Sequence, residues 1–245
     1  ETASAGMTVW LVWAAVLQHS PLIPDASRQA AGLHVVALRR NSSDEELRAR
    51  IHAIKRRSLS GGMDEAEYFH VMRYIRDNAP QRLLVWGMGY DSAAYEQLNE
   101  GGTTHFLEFD VSWIHKADVA TRRLNFTTYS PRAWNTTVNT TEQFITHPHR
   151  AEEIGLLADR PCFHTIIVDS PFGYRLRDPG RAVPIFTAAT DLRQCISLRR
   201  YPLDVNVTVF VHDCRRASED LLSRTFLGTP VKESGHKKLR EFRLH

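Results

Sequence analysis

A chain of 245 residues that is 42% hydrophobic and 24% charged, with 13 glycines, 11 prolines and 3 cysteines, is not collagen-like, not a disulfide scaffold and not mainly disordered. Its 31 basic and 28 acidic residues leave a net charge of +3 with no basic stripe, which argues against nucleic acid as a partner. The length suits one α/β domain of ordinary core size with an extension.

In chain order, the first feature is Met7 to Leu17 (MTVWLVWAAVL), an apolar run with no basic residue before it. It is shorter than the roughly 20 residues that cross a bilayer. It reads equally as the stump of a signal anchor or as a core helix, so a membrane enters only through such an anchor. From Ser42 to Arg57 (SSDEELRARIHAIKRR) the pattern is a capped, charged helix with Leu47, Ile51 and Ile54 on one face. Ser58-Leu-Ser-Gly-Gly62 breaks it, and a second helix is expected over about Asp64 to Asp77, ending before Pro80. Residues 1–62 read as an N-terminal extension and 63–245 as the α/β domain.

From Arg82 onward, short apolar runs alternate with helical patterns: RLLVWGMG, DSAAYEQLNE, THFLEF, DVSWIHKADVA, a Thr/Asn-rich stretch, HTIIVDS, AVPIFTAATDLRQCISLRR, NVTVFVHDC and ASEDLLSRTFL. Unbroken apolar strands such as Thr165 to Val168 and Val207 to Val211 are those of a parallel sheet covered on both faces. The alternation gives an α/β fold with a doubly wound, mostly parallel sheet. Such a sheet binds its ligand at the carboxyl ends of the strands. Gly87 and Gly89 fall at the first of these ends, with Asp91 placed to cap the helix that follows. Ser92 stands where the dinucleotide fingerprint has its third glycine, which counts against NAD. Glu108 ends the next strand and is placed to accept ribose hydroxyls, so the pair points to an adenosine-containing cofactor. Trp86, Phe109 and Trp113 flank these ends and default to core packing.

Gly87 to Ile114 (GMGYDSAAYEQLNEGGTTHFLEFDVSWI), with IIVDSPFGY (166–174), RAVPIFTAA (181–189) and VFVHDCRRASEDLLSRTFL (209–227), resembles the plant glucuronoxylan 4-O-methyltransferases and their relatives, the arabinogalactan methyltransferases and irregular-xylem xylan factors. The likeness runs through about residues 63–245 in one collinear order. It implies a class I, Rossmann-like S-adenosylmethionine methyltransferase fold and methyl transfer to a sugar hydroxyl of a polysaccharide or glycan, in the best-known case O4 of glucuronic acid. By position, Gly87, Gly89 and Asp91 would hold the methionine end of S-adenosyl-L-methionine, and Glu108 its ribose. The chain departs from the plant pattern at Tyr90, Ser170, Phe172 and Cys214. A relative that keeps the fold without activity is the alternative reading.

A sugar hydroxyl is a poor nucleophile near neutral pH, so the chemistry calls for a base. Asp169, His212 and Asp213, on strand ends that would share one crevice, are the catalytic candidates. Asp169 is the first choice, as base or as ligand of a divalent cation. Tyr174, Arg175, Arg177 and Arg181 follow in one loop and could grip the carboxylate of a uronate-bearing acceptor. No metal-ligand spacing is present, and His147-Pro-His149 lacks a third partner. Cysteines 162, 195 and 214 allow at most one bridge and read as small buried hydrophobes. Five sequons, at Asn41, Asn125, Asn135, Asn139 and Asn206, exceed the about one or two expected by chance and point to the Golgi lumen or secretory pathway and to a glycoprotein.

Overall fold

The computed structural model describes residues 38–58, 62–117, 124–129, 162–173, 180–197, 206–236 and 238–245. The expectations for Met7–Leu17, Asn135, Asn139, His147, His149, Tyr174, Arg175 and Arg177 fall outside these residues. No helix among the described residues is long and apolar enough to cross a membrane.

Two helices come first. Helix α1 (Asp44–Ser58) opens with a reciprocal cap: Glu46 N–H donates to Ser43 Oγ at 3.2 Å, and Ser43 N–H donates to Glu46 Oε2 at 2.7 Å. Helix α2 (Glu65–Asn78) opens with the same device on Asp64 and Glu67. Both turn a narrow apolar stripe inward (Leu47, Ile51 and Ile54 on α1; Tyr68, Val71, Met72 and Ile75 on α2).

The chain then alternates as the sequence predicts: β1 (Arg82–Trp86), α3 (Ser92–Leu98), β2 (Thr103–Glu108), α4 (Val111–Lys116), β3 (Phe126–Thr128), β4 (Thr165–Val168), α5 (Ala182–Ser197), β5 (Val207–Val211) and α6 (Ala217–Leu227). The strand Val207–Val211 is not the last. Two more follow, β6 (Lys232–Ser234) and β7 (Leu239–Leu244). The seven strands lie in the order β3-β2-β1-β4-β5-β7-β6, with the first five parallel and β7 antiparallel to both β5 and β6. This is the doubly wound, mostly parallel sheet that the sequence predicts, with an antiparallel pair at one edge.

The period of two in each strand divides the core into two layers. Leu84, Trp86, Ile166, Val168, Val209 and Val211 face α5 and α6. Leu83, Val85, Phe106, Ile167 and Phe210 face α1, α2 and α3. Helix α1 thus packs into the same core as the sheet. Cys162, just before β4, and Cys195, in α5, form a disulfide across the first layer. The sequence allows one such bridge but favours small buried hydrophobes at all three positions; the bridge is present, and Cys214 is the free, buried cysteine among the described residues.

Candidate functional site

The chain order β3-β2-β1-β4-β5 reverses direction between β1 and β4, which leaves a gap where the strands end. There, Gly87, Gly89, Asp91, Glu108, Asp169, Arg181, His212 and Asp213 line one crevice. Eight residues chosen from sequence therefore meet in space. Tyr68 of α2 and Tyr95 of α3 join them, although neither was singled out in the sequence.

The glycine turn is built for close approach. Gly87 has φ +115°, and a Cβ there would lie 3.0 Å from Ser170 Cβ. Its N–H donates to Leu107 O at 2.8 Å, so the turn is pinned to β2. Ser92, in place of a third glycine, accepts from Gly89 N–H through Oγ at 2.9 Å.

Glu108 is 1% exposed and accepts three backbone hydrogen bonds: Oε1 from Phe109 N–H at 2.7 Å and Asp110 N–H at 2.8 Å, Oε2 from Met88 N–H at 2.8 Å. A carboxylate offers about four lone-pair sites, so one remains, on Oε2. Burial pushes this carboxyl up, against the three N–H groups that favour its charge. Glu108 thus ties the β1 turn to the end of β2 while keeping one acceptor position for a hydroxyl in the crevice.

Asp91 stands at the N-cap of α3 in helical conformation and makes no side-chain cap, contrary to its expected role. The Tyr68 and Tyr95 hydroxyls instead lie near its carboxylate and favour its charged form. Burial, then the nearby Asp169 charge, raises it to about 6.

At the ends of β4 and β5 the charges interlock. His212 is 2% exposed; its Nδ1 lies 2.5 Å from Asp169 Oδ1 and its Nε2 3.3 Å from Glu67 Oε2. Burial pulls the imidazole down, but the two carboxylates outweigh it and raise it to about 9, so the ring is a cation at neutral pH. Glu67, fully buried on α2, also accepts from Asp64 N–H at 2.8 Å and Leu239 N–H at 3.1 Å. Gly235, at φ +71°, lets the β6–β7 hairpin pass against the Glu67 side chain, where a Cβ would collide. Arg181, 3% exposed, donates to Asp169 O at 2.7 Å, to Asp169 Oδ1 at 3.2 Å and to His212 O, and pairs with Asp213 Oδ2 at 2.8 Å. Asp213, in left-handed backbone at φ 63°, also pairs with Arg216 at 2.7 Å.

These contacts place Arg181 and the three catalytic candidates. Arg181 is the staple between β4 and β5, not a free clamp for a uronate, because its guanidinium is buried among Asp169, Asp213 and the His212 carbonyl. His212 and Asp213 are largely buried; Asp169, with 23% of its side chain exposed, is the most open of the trio. Asp169, His212 and Asp213 bring ligand-type atoms within 4.8 Å of one another. Asp169 Oδ1 and Asp213 Oδ2 already face the buried Arg181 cation, which repels a divalent ion from the trio, so the residues are a poor fit for a resident metal.

The crevice lining includes the carboxylates of Asp91, Glu108 and Asp169, while the cations Arg181 and His212 are each held by acidic partners. That balance suits a cationic ligand. Phe109, Trp113 and Phe172 add aromatic surface at the mouth, with Phe109 and Phe172 ring centroids 5.4 Å apart. An adenosyl group carrying a sulfonium fits a glycine cradle with one carboxylate acceptor beside it.

Glucuronoxylan 4-O-methyltransferase 3 of Arabidopsis thaliana is 31% identical over 187 residues, 69% of this chain and 60% of that protein. Arabinogalactan O-methyltransferase 2 of the same plant is 27% identical over 191 residues, 71% of this chain and 64% of that protein. The chain spans about 60% of the length of these relatives. Among solved structures, a methyltransferase-like protein from Silicibacter pomeroyi is similar at 16% identity with a TM-score of 0.41, covering 72% of this chain and 84% of that one. The model of the IRX15/IRX15L/GXM family matches residues 66–160 and 162–242. That match takes in strands β1 to β5 and the crevice residues from Gly87 to Asp213, and the chain belongs to the IRX15/IRX15L/GXM family.

Proposed function

We propose that the protein is an S-adenosylmethionine-dependent O-methyltransferase acting on a sugar hydroxyl of a polysaccharide or glycan. The observation that carries this reading is the placement of the Gly87–Gly89 turn, the Glu108 carboxylate and Asp169 around one crevice at the switch point of the sheet. Bound there, the cofactor supplies an activated methyl group on a sulfonium.

The chain's own residues do the rest. Glu108 orients the ribose through its remaining acceptor position, and Asp91 with the glycine turn receives the cationic methionine end. Asp169 accepts the hydrogen bond of the acceptor hydroxyl and takes its proton as the new C–O bond forms. His212 and Arg181 hold that carboxylate in a single orientation, so the oxygen is aligned before it reacts, and alignment of this kind lowers a barrier by several kcal/mol. The relatives named for glucuronoxylan favour a uronate-bearing acceptor, and O4 of glucuronic acid is its finer form. With Arg181 engaged, recognition of the uronate falls to Arg175 and Arg177. The Cys162–Cys195 bridge supports action in an oxidising compartment, the Golgi lumen or another part of the secretory pathway.

Incubation with methyl-labelled S-adenosylmethionine and a panel of glucuronoxylan, arabinogalactan and neutral glycans tests the proposal. Label on a sugar oxygen of one uronate-bearing glycan is the expected result. Cofactor binding without label on any glycan would refute the acceptor class. No cofactor binding would favour a non-catalytic glycan-biosynthesis factor that keeps the fold.

A further inference from the structure

We propose that the protein carries N-linked glycans on Asn41, Asn125 and Asn206, grouped away from the crevice, and that they are attached before the chain folds. All three asparagines are exposed and each begins an Asn-X-Ser/Thr sequence. Their places in the fold set them apart from the crevice. Asn206 immediately precedes β5, and Asn125 immediately precedes β3, whereas the crevice lies where the strands end. Asn41 adjoins Ser42, whose carbonyl accepts from Arg76 in the last turn of α2, just ahead of the start of β1. None of the three lines the crevice. A glycan on any of them leaves the cofactor and acceptor path clear.

The disulfide supports this independently of the methyltransferase reading. Cys162 and Cys195 are 2% and 4% exposed, so their bridge is part of the core and requires an oxidising compartment during folding. Such a compartment also holds the glycan-transfer machinery.

The timing follows from the hydroxyls at the third position of each sequence, which the transfer reaction must recognise. Thr208 is 2% exposed and its Oγ1 accepts from Tyr74 O–H at 2.7 Å; Thr127 Oγ1 bonds to His105 Nε2 at 3.0 Å; Ser43 Oγ caps α1. Folding engages all three, so the unfolded chain is the substrate. In the step, the asparagine amide nitrogen bonds the anomeric carbon of an oligosaccharide carried on a lipid diphosphate. The bond from that carbon to the diphosphate oxygen breaks, its electron pair leaves with the lipid diphosphate, and the amide loses one proton.

The test is peptide mapping of the full chain purified from the cells that make it, after enzymatic glycan removal in heavy-oxygen water. Asparagines 41, 125 and 206 should each appear as heavy-labelled aspartate. An asparagine recovered unmodified removes that site, and three unmodified asparagines overturn the proposal. Cofactor titration before and after glycan removal reads the placement: unchanged affinity is expected, and an affinity change of tenfold or more would contradict glycans held clear of the crevice. Addition of the transfer machinery to folded, unglycosylated protein should give no product; efficient modification there would refute the timing.

Discussion

Replacing Glu108 by Gln changes one atom and almost no volume, so its effect reads the hydrogen bonds alone. Three backbone N–H groups converge on the carboxylate, two on Oε1 and one on Oε2. The amide keeps its oxygen where Phe109 and Asp110 donate and turns its NH2 toward Met88 N–H, which leaves two donors face to face. One hydrogen bond to a charged acceptor is lost and two become neutral, for a total cost of about 2–4 kcal/mol at this buried position. Urea unfolding should show that loss. The remaining acceptor site on Oε2 disappears as well, so S-adenosylmethionine affinity, titrated calorimetrically under conditions where the variant is folded, should fall by about 1–3 kcal/mol, on the order of 5- to 150-fold. An unchanged urea midpoint would refute the three-bond anchor. A stability loss with unchanged affinity would remove Glu108 from the ribose site.

Four further outcomes are expected. Asp169→Asn should retain cofactor affinity within about twofold and lose about 10²–10⁴ in turnover, measured with labelled cofactor; full turnover would end its role as base. Because His212 is raised from 6.5 to about 9 in the folded state, its contribution to stability is fully present below pH 6.5 and is lost as pH rises through 9, and His212→Gln should flatten urea midpoints across that window. Asp91 is protonated in part below about pH 6, so binding of a cationic methionine end near pH 5.5 should release protons, seen as calorimetric enthalpies that change with the buffer's ionisation heat. Breaking the Cys162–Cys195 bridge, which spans 33 residues, by Cys162→Ser should cost about 3–4 kcal/mol in thermal or urea unfolding.

The strand ends were legible because a parallel sheet forces them to one side. Once RLLVWGMG, THFLEF, HTIIVDS and NVTVFVHDC are read as strands, Gly87, Glu108, Asp169 and His212 must share an edge. The partners from α2 were not legible. Glu67 reaches His212 across 145 positions of sequence (212 − 67), and locally its pattern shows only a capping box. Tyr68 reads as one more apolar residue on the α2 stripe. The β6–β7 pair escaped because its buried positions carry charge: Arg240 pairs with Glu233 and Glu241 with His70, so no apolar run marks the strand. Arg181 was read as a substrate clamp from its place in a basic loop; only the fold shows that its guanidinium turns back between two aspartates. Cysteine spacing fixes no pairing, which is why the bridge was missed.

The central claim is that the crevice holds an adenosyl sulfonium with its ribose on Glu108 and its reactive end toward Asp169. A crystal structure of the complex with S-adenosylhomocysteine tests this most directly. The account predicts a ribose hydroxyl within hydrogen-bond distance, about 2.6–3.2 Å, of Glu108 Oε2 and the sulfur pointing to the Asp169 side of the crevice. Adenosine bound elsewhere, or a ribose that makes no contact with Glu108, would contradict it.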